Sequence, residues 1–143
     1  MIDIVQSPIE LNSVVQSVLT PESGAVDVFI GTTRNHSNRK EVLKLEYEAY
    51  EPMALKKMEE ISEETRERWD IHNVAIVHRI GEVAIGEASV VIAVSSSHRE
   101  EAFTACRYII DRLKERVPIW KREYFADGTV GWSQITHPDK QPE

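Results

Sequence analysis

Cysteine is almost missing from the 143-residue chain, which holds only Cys106. One thiol makes an internal disulfide impossible, argues against a thiolate metal cluster and fits a reducing, cytosolic location. There is no glycine-rich phosphate loop and no Gly-x-Ser-x-Gly elbow. There is no internal repeat and no low-complexity segment. No apolar run approaches the roughly 18 residues that a membrane span takes. The start, Met1-Ile2-Asp3-Ile4-Val5, lacks a charged region followed by an apolar stretch, so no signal peptide is expected. His72, His78 and His137 show no metal-ligand spacing with carboxylates. Basic residues are the minority, 17 against 24 acidic, for a net charge of −7. That balance argues against nucleic-acid and anionic-membrane partners but leaves room for a local anion pocket.

What is present suits a soluble globular fold: 41% hydrophobic and 29% charged residues. A chain of this length buries about two thirds of its unfolded surface without a staple. One domain is expected over residues 1–136, with a frayed tail from His137 to Glu143.

The patterning predicts a helix opened by Ser7-Pro8-Ile9-Glu10 as a capping box and running to about Thr20, with Leu11, Val14, Val15 and Val18 on one stripe. A buried strand is expected over Ala25 to Gly31, then a basic loop from Thr32 to Glu41. Leu43, Leu45, Tyr47 and Ala49 alternate with charged residues, the period of a half-buried strand. A helix follows from Pro52 to about Trp69. Val74 to His78 and Ala88 to Ser95 read as strands around a short segment bracketed by Gly81 and Gly86. A long helix from about Arg99 to Val117 is stopped by Pro118. Strands over Ile119 to Phe125 and Val130 to Ile135 flank an Asp127-Gly128 turn. This order favours an α+β fold: a mixed, largely antiparallel sheet with about three helices, hammerhead-like.

Three places carry chemical promise. Ser97-His98-Arg99-Glu100 stands where a helix begins, with capping-box spacing between Ser97 and Glu100. Such a terminus attracts anions, and two cations beside it are relieved by one. It reads equally as a capped helix with solvated side chains. Lys114 stacks four residues after Ile110, at the border of an apolar stripe. Lys121 shares a strand face with Ile119, Glu123 and Phe125. Each lysine either snorkels or is held partly desolvated for proton transfer, and Pro118 folds the two back toward each other. Arg34 opens the basic loop, either as a surface side chain or as a ligand contact. Cys106, mid-helix on the stripe, reads as a small buried hydrophobe.

An ordered set of motifs then stands out: Gly31-Thr32-Thr33-Arg34, Leu45-x-Tyr47-Glu48-Ala49-Tyr50, His78-Arg79-Ile80-Gly81-Glu82, Ser96-Ser97-His98-Arg99, Asp111-x-Leu113-Lys114 and Val117-Pro118-Ile119-Trp120-Lys121-x-Glu123. Over residues 26 to 123 the chain closely resembles the large, catalytic subunits of molybdopterin synthases. The resemblance implies sulfur transfer to cyclic pyranopterin monophosphate, forming the dithiolene of molybdopterin. It implies a small ubiquitin-like partner subunit that delivers sulfur as a C-terminal thiocarboxylate, and a heterotetramer around a large-subunit dimer. It calls for no resident cofactor or metal. It makes Lys114 and Lys121 the catalytic pair. Thr32, Thr33, Arg34, His98, Arg99, Arg122 and Glu123 would join them in binding substrate. Relatives often have a glycine in the loop after the arginine, where this chain has Asn38-Arg39-Lys40. His98 and Lys114 mark opposite ends of one helix, roughly 24 Å apart at 1.5 Å per residue. One site can use both only if a second copy of the chain supplies its own His98 and Arg99, so an active site shared across a two-fold interface is expected. The competing reading is a non-catalytic dimeric module that grips a ubiquitin-like partner or a phosphorylated metabolite. An RNA-binding domain is disfavoured by the charge.

Overall fold

The structure, a computed structural model, describes residues 1–134. The expected strand end at Ile135 and the tail from His137 lie outside the described residues. The most apolar runs become the two innermost strands, β5 (Val74–Arg79) and β7 (Ala88–Ser96), paired antiparallel with Ile76 opposite Ile92. Strand alternation sends Val74, Ile76, Ile92 and Val94 into one core cluster and Ala75, Val77, Val91 and Ala93 into another. Both faces are therefore apolar, which is why these strands read as continuous hydrophobic runs.

β1 (Ile2–Val5), parallel to β5, and β2 (Ala25–Thr32), antiparallel to β7, complete a four-stranded sheet ordered β1-β5-β7-β2. Helix α1 (Leu11–Val18) packs Val14 and Val18 on one face. Helices α2 (Glu51–Arg68) and α3 (Arg99–Arg116) pack Met58, Ile61, Ala105 and Ile109 on the other. A second sheet runs β3 (His36–Ser37), β4 (Lys40–Ala49), β8 (Ile119–Phe125), β9 (Val130–Gln134), with β6 (Gly81–Ala84) also beside β4. Its Val42, Leu45, Val83, Ile119 and Phe125 join the larger cluster, so the sheets share one core. Gly81, at φ +88°, lets the chain leave β5 and enter β6 in the other sheet. The α+β architecture with three helices and a mixed, largely antiparallel arrangement is thus as expected.

Three local expectations are corrected. The first helix begins at Leu11 with Glu10 as its cap residue, and no side chain caps it. Ile9 is already packed against the Val14–Val18 cluster, which holds Ser7 and Pro8 outside the helix. The capping box at Ser97 does not form either. His98 is the cap residue, Ser96 Oγ donates to the His98 carbonyl at 2.5 Å, and Ser97 Oγ lies 3.4 Å from His72 Nε2. Glu100 and Glu101 occupy the first turn and answer the helix dipole themselves. Thirdly, the Thr32–Glu41 stretch is not a plain loop. β3 pairs with β4 through a two-residue turn, with Asn38 at φ 49° and Arg39 at φ 67°. Both central residues are left-handed, as a type I′ hairpin requires, and Arg39 takes a conformation that glycine would adopt more readily.

Candidate active site

The cationic candidates converge because three separate elements end at one place. β2 leaves the core at Thr32, and a register shift between Gly31 and Thr32 turns the chain outward there. The last turn of α3 carries Lys114. Pro118 ends that helix and sends β8 back along β4, placing Lys121 opposite Tyr47 and Glu123 opposite Leu45. The result is a cavity of about 530 Å³. Its lining includes Thr32, Arg34, Lys114, Lys121 and Glu123, with Phe29, Ile110 and Leu113 as apolar wall.

Arg34, Lys114 and Lys121 have no ion pair or hydrogen bond among the described residues. Several basic groups elsewhere are paired: Arg79 with Glu87 at 3.0 Å, Arg112 with Glu115 at 2.9 Å, Arg116 with Glu64 at 2.7 Å. Partial desolvation by the surrounding protein holds Lys114 below the ordinary lysine value. The charges of Lys121 and Arg34 push the same way, and Asp111 opposes them. Three cations against the one carboxylate of Glu123 in a concavity of a net-acidic protein make a receptor for anions.

The cavity also has a neutral polar wall that the residue pattern did not single out. Tyr47, His78 and Ser89 are all buried and all line it. His78 Nδ1 donates to the Arg79 carbonyl at 2.8 Å, and its ring meets the Tyr47 ring edge-on, 5.1 Å between centroids. Burial brings His78 down to about 4, with the Arg79 hydrogen bond opposing and Lys114 adding to the effect. Burial raises the Tyr47 phenol; the Ser89 hydroxyl opposes that shift and Glu123 reinforces it. The signal for His78 was present as a polar residue inside an otherwise apolar strand. Tyr47 was legible from the inward half of the β4 alternation.

Four expected site residues lie elsewhere in the chain. Thr33 is buried beside the cavity but does not line it. Its backbone bonds the Glu87 carbonyl and the Gly86 amide, and its Oγ1 has no partner. Arg122 projects from the opposite face of β8. It donates to Tyr124 at 3.0 Å, pairs with Glu46 at 3.5 Å and stacks over Trp132. His98 and Arg99 line a separate cleft with Gly24 and Phe103. Cys106 is buried, and burial pushes its thiol up to about 12, with Asp27 adding to it, so it is a poor nucleophile.

The comparisons with known proteins agree with one another. A model of the MoaE protein family matches residues 4–116. That match ends before β8, so Lys121 and Glu123 lie beyond it. The molybdopterin synthase catalytic subunit of Bacillus subtilis is 48% identical over 126 residues, covering 88% of this chain and 80% of that one. The crystal structure of molybdopterin synthase from Staphylococcus aureus superposes with a TM-score of 0.87 at 43% identity, covering 91% of this chain and 94% of that one. A chain from the complex of subunits 1 and 2 of the molybdopterin-converting factor of Helicobacter pylori shares the fold, with a TM-score of 0.74 at 19% identity over 99% of this chain and 93% of that one. With the family model matched over most of its length and the cationic cavity built on that fold, the chain belongs to the MoaE protein family.

Proposed function

We propose that this chain is the catalytic subunit of a molybdopterin synthase. It moves sulfur from the C-terminal thiocarboxylate of a small ubiquitin-like carrier subunit to cyclic pyranopterin monophosphate, building the dithiolene of molybdopterin. The observation that carries the reading is the set of three cations, Arg34, Lys114 and Lys121, that line one cavity and have no ion pair among the described residues. The carrier brings an anionic thiocarboxylate and the pterin brings a phosphate, so both reactants match that charge. A chain whose single thiol is buried and held at about 12 receives its sulfur from a partner.

Lys114 stands nearest the thiocarboxylate. After the thiocarboxylate sulfur has displaced an oxygen from a side-chain carbon of the pterin, forming C–S as C–O breaks, water attacks the acyl carbon, and a lysine ammonium stabilises the oxyanion that forms. The acyl C–S bond then breaks, leaving sulfur on the pterin and a carboxylate on the carrier. A lysine held below its ordinary value also exchanges protons more readily near neutral pH. Lys121 assists these proton steps and holds the pterin, with Thr32, Arg34 and Glu123 around it. Arg122 is left out of the substrate set, because its guanidinium is engaged on the other face of β8.

The second half of the site comes from a second copy of the chain. Three concavities run in series along α3 and the edge strand β2. The Lys114 cavity shares Phe29 and Ile110 with a shallow groove at Cys106, and that groove shares Phe103 with the His98 cleft. Phe29 is 37% exposed and Phe103 56%. Cys106 is midway in sequence between His98 and Lys114. A two-fold axis there pairs the apolar stretch with itself and lays the partner's His98 and Arg99 over Lys114. The phosphate then meets cations from both copies. The assembly with two carrier subunits is a heterotetramer working in the cytoplasm.

The reading is tested by reconstitution with a thiocarboxylated carrier and cyclic pyranopterin monophosphate. Dithiolene forms with the wild type. Lys114→Ala lowers turnover by about a hundredfold or more while still binding the carrier. Carrier binding with no product from the wild type would leave a binding module instead.

A further inference from the structure

The lining of the cavity joins its three cations to a neutral wall of Tyr47, His78 and Ser89. On that wall the ring N–H of His78 already has a partner in the protein. His78 Nδ1 faces the Arg79 carbonyl at 2.8 Å, and a carbonyl only accepts, so Nδ1 carries the ring's proton. The neutral tautomer is thereby fixed, and Nε2 is left with a lone pair. The Ser89 hydroxyl is likewise engaged within the protein, by the Gly31 carbonyl at 3.3 Å and by the Tyr47 hydroxyl. The His78 ring cannot easily turn to change this. It is 2% exposed, edge-on against Tyr47 and set in one of the two inner strands of the first sheet.

We propose that His78 is the specificity-determining residue of this cavity: its Nε2 is a fixed hydrogen-bond acceptor that selects, among anionic ligands, one that also bears an N–H or O–H donor. The inference rests on the substrate reading above and deepens it. Arg34, Lys114 and Lys121 hold the charged end of any phosphate compound without asking what else it carries. His78 asks that question, because a ligand presenting its own lone pairs to Nε2 meets a lone pair. A pterin ring carries N–H groups at its edge; inorganic phosphate has no ring N–H to offer and is held by the cations.

The test uses the full chain labelled with 15N-histidine. On saturation with cyclic pyranopterin monophosphate the Nε2 resonance of His78 moves upfield as it accepts a hydrogen bond, while Nδ1 stays. Inorganic phosphate leaves both in place. His78→Asn keeps an amide donor for the Arg79 carbonyl but removes the cavity nitrogen. It weakens the pterin phosphate by about tenfold and leaves inorganic phosphate binding unchanged. His78→Gln, which returns a polar atom near the Nε2 position, recovers part of that loss. A silent Nε2 in a saturated complex overturns this inference alone. So does a His78→Asn variant that loses both ligands equally, which would mark a structural role. Failure of the wild type to bind the pterin phosphate at all overturns the substrate reading itself, and this inference with it.

Discussion

Acidification should destabilise this protein through His78 before any carboxylate is lost. The imidazole is fully buried, and burial brings it from 6.5 down to about 4 in the folded state. Above pH 6.5 neither state is protonated at this site, so His78 contributes no pH dependence. Between 6.5 and about 4 the unfolded chain binds a proton that the folded one refuses, and stability falls as pH falls. The gap corresponds to about 3 kcal/mol, of which about 2 kcal/mol is lost by pH 5. Below about 4 the folded state protonates too and the loss levels off. That is a large share of a typical total stability of about 5–15 kcal/mol. Glu64 is held below the ordinary carboxylate range mainly by its Arg116 bond, and Glu87 mainly by the Ala84 amide. Their stabilisation is present above 4.5 and goes only below it, so the interval from 6.5 to 5 belongs to the imidazole. The assay is urea unfolding followed by tryptophan fluorescence at fixed protein concentration, from about pH 7 to about pH 5, beside His78→Asn. The wild type should lose about 2 kcal/mol more than the variant across that interval. Parallel curves would refute the buried, neutral assignment.

Two further outcomes follow from the cavity. Replacing Lys121 by Met removes one of the charges that hold Lys114 down, so the Lys114 titration, followed by NMR of 13C-methylated lysine, should move up toward the ordinary lysine value; an unmoved titration would separate the two lysines. Arg122→Ala, on the far face of β8, should leave kcat within about twofold of wild type, whereas a large loss would put that guanidinium back in the site.

The sequence was most legible where one period ruled. β5 and β7 announced themselves as apolar runs because both faces are covered. The β4 alternation placed Tyr47 inward, and the α3 stripe put Cys106 inside and Lys114 at its border. It misled where tertiary packing outweighed a local signal. Ser7-Pro8 has the form of a helix start, but Ile9 is pinned to the core before the first turn. Ser97 has cap spacing, but its hydroxyl lies toward His72. In the candidate site the cations were visible because charge beside apolar stripes is unusual. His78 and Ser89 were not, since a single polar residue in a buried strand looks alike whether it faces a cavity or only satisfies a carbonyl. The Arg122 placement turned on strand parity, which sends it away from its neighbours Lys121 and Glu123.

The most direct measurement is a mixed-variant assay of dithiolene formation with thiocarboxylated carrier and cyclic pyranopterin monophosphate. Lys114→Ala and His98→Ala homodimers are each assayed alone, then mixed under conditions that exchange subunits. Shared sites predict that both variants are weak alone and that statistical mixing restores about a quarter of wild-type sites, because each mixed dimer regains one intact cavity. No recovery on mixing, with exchange verified, would contradict a site built from Lys114 of one copy and His98 of the other.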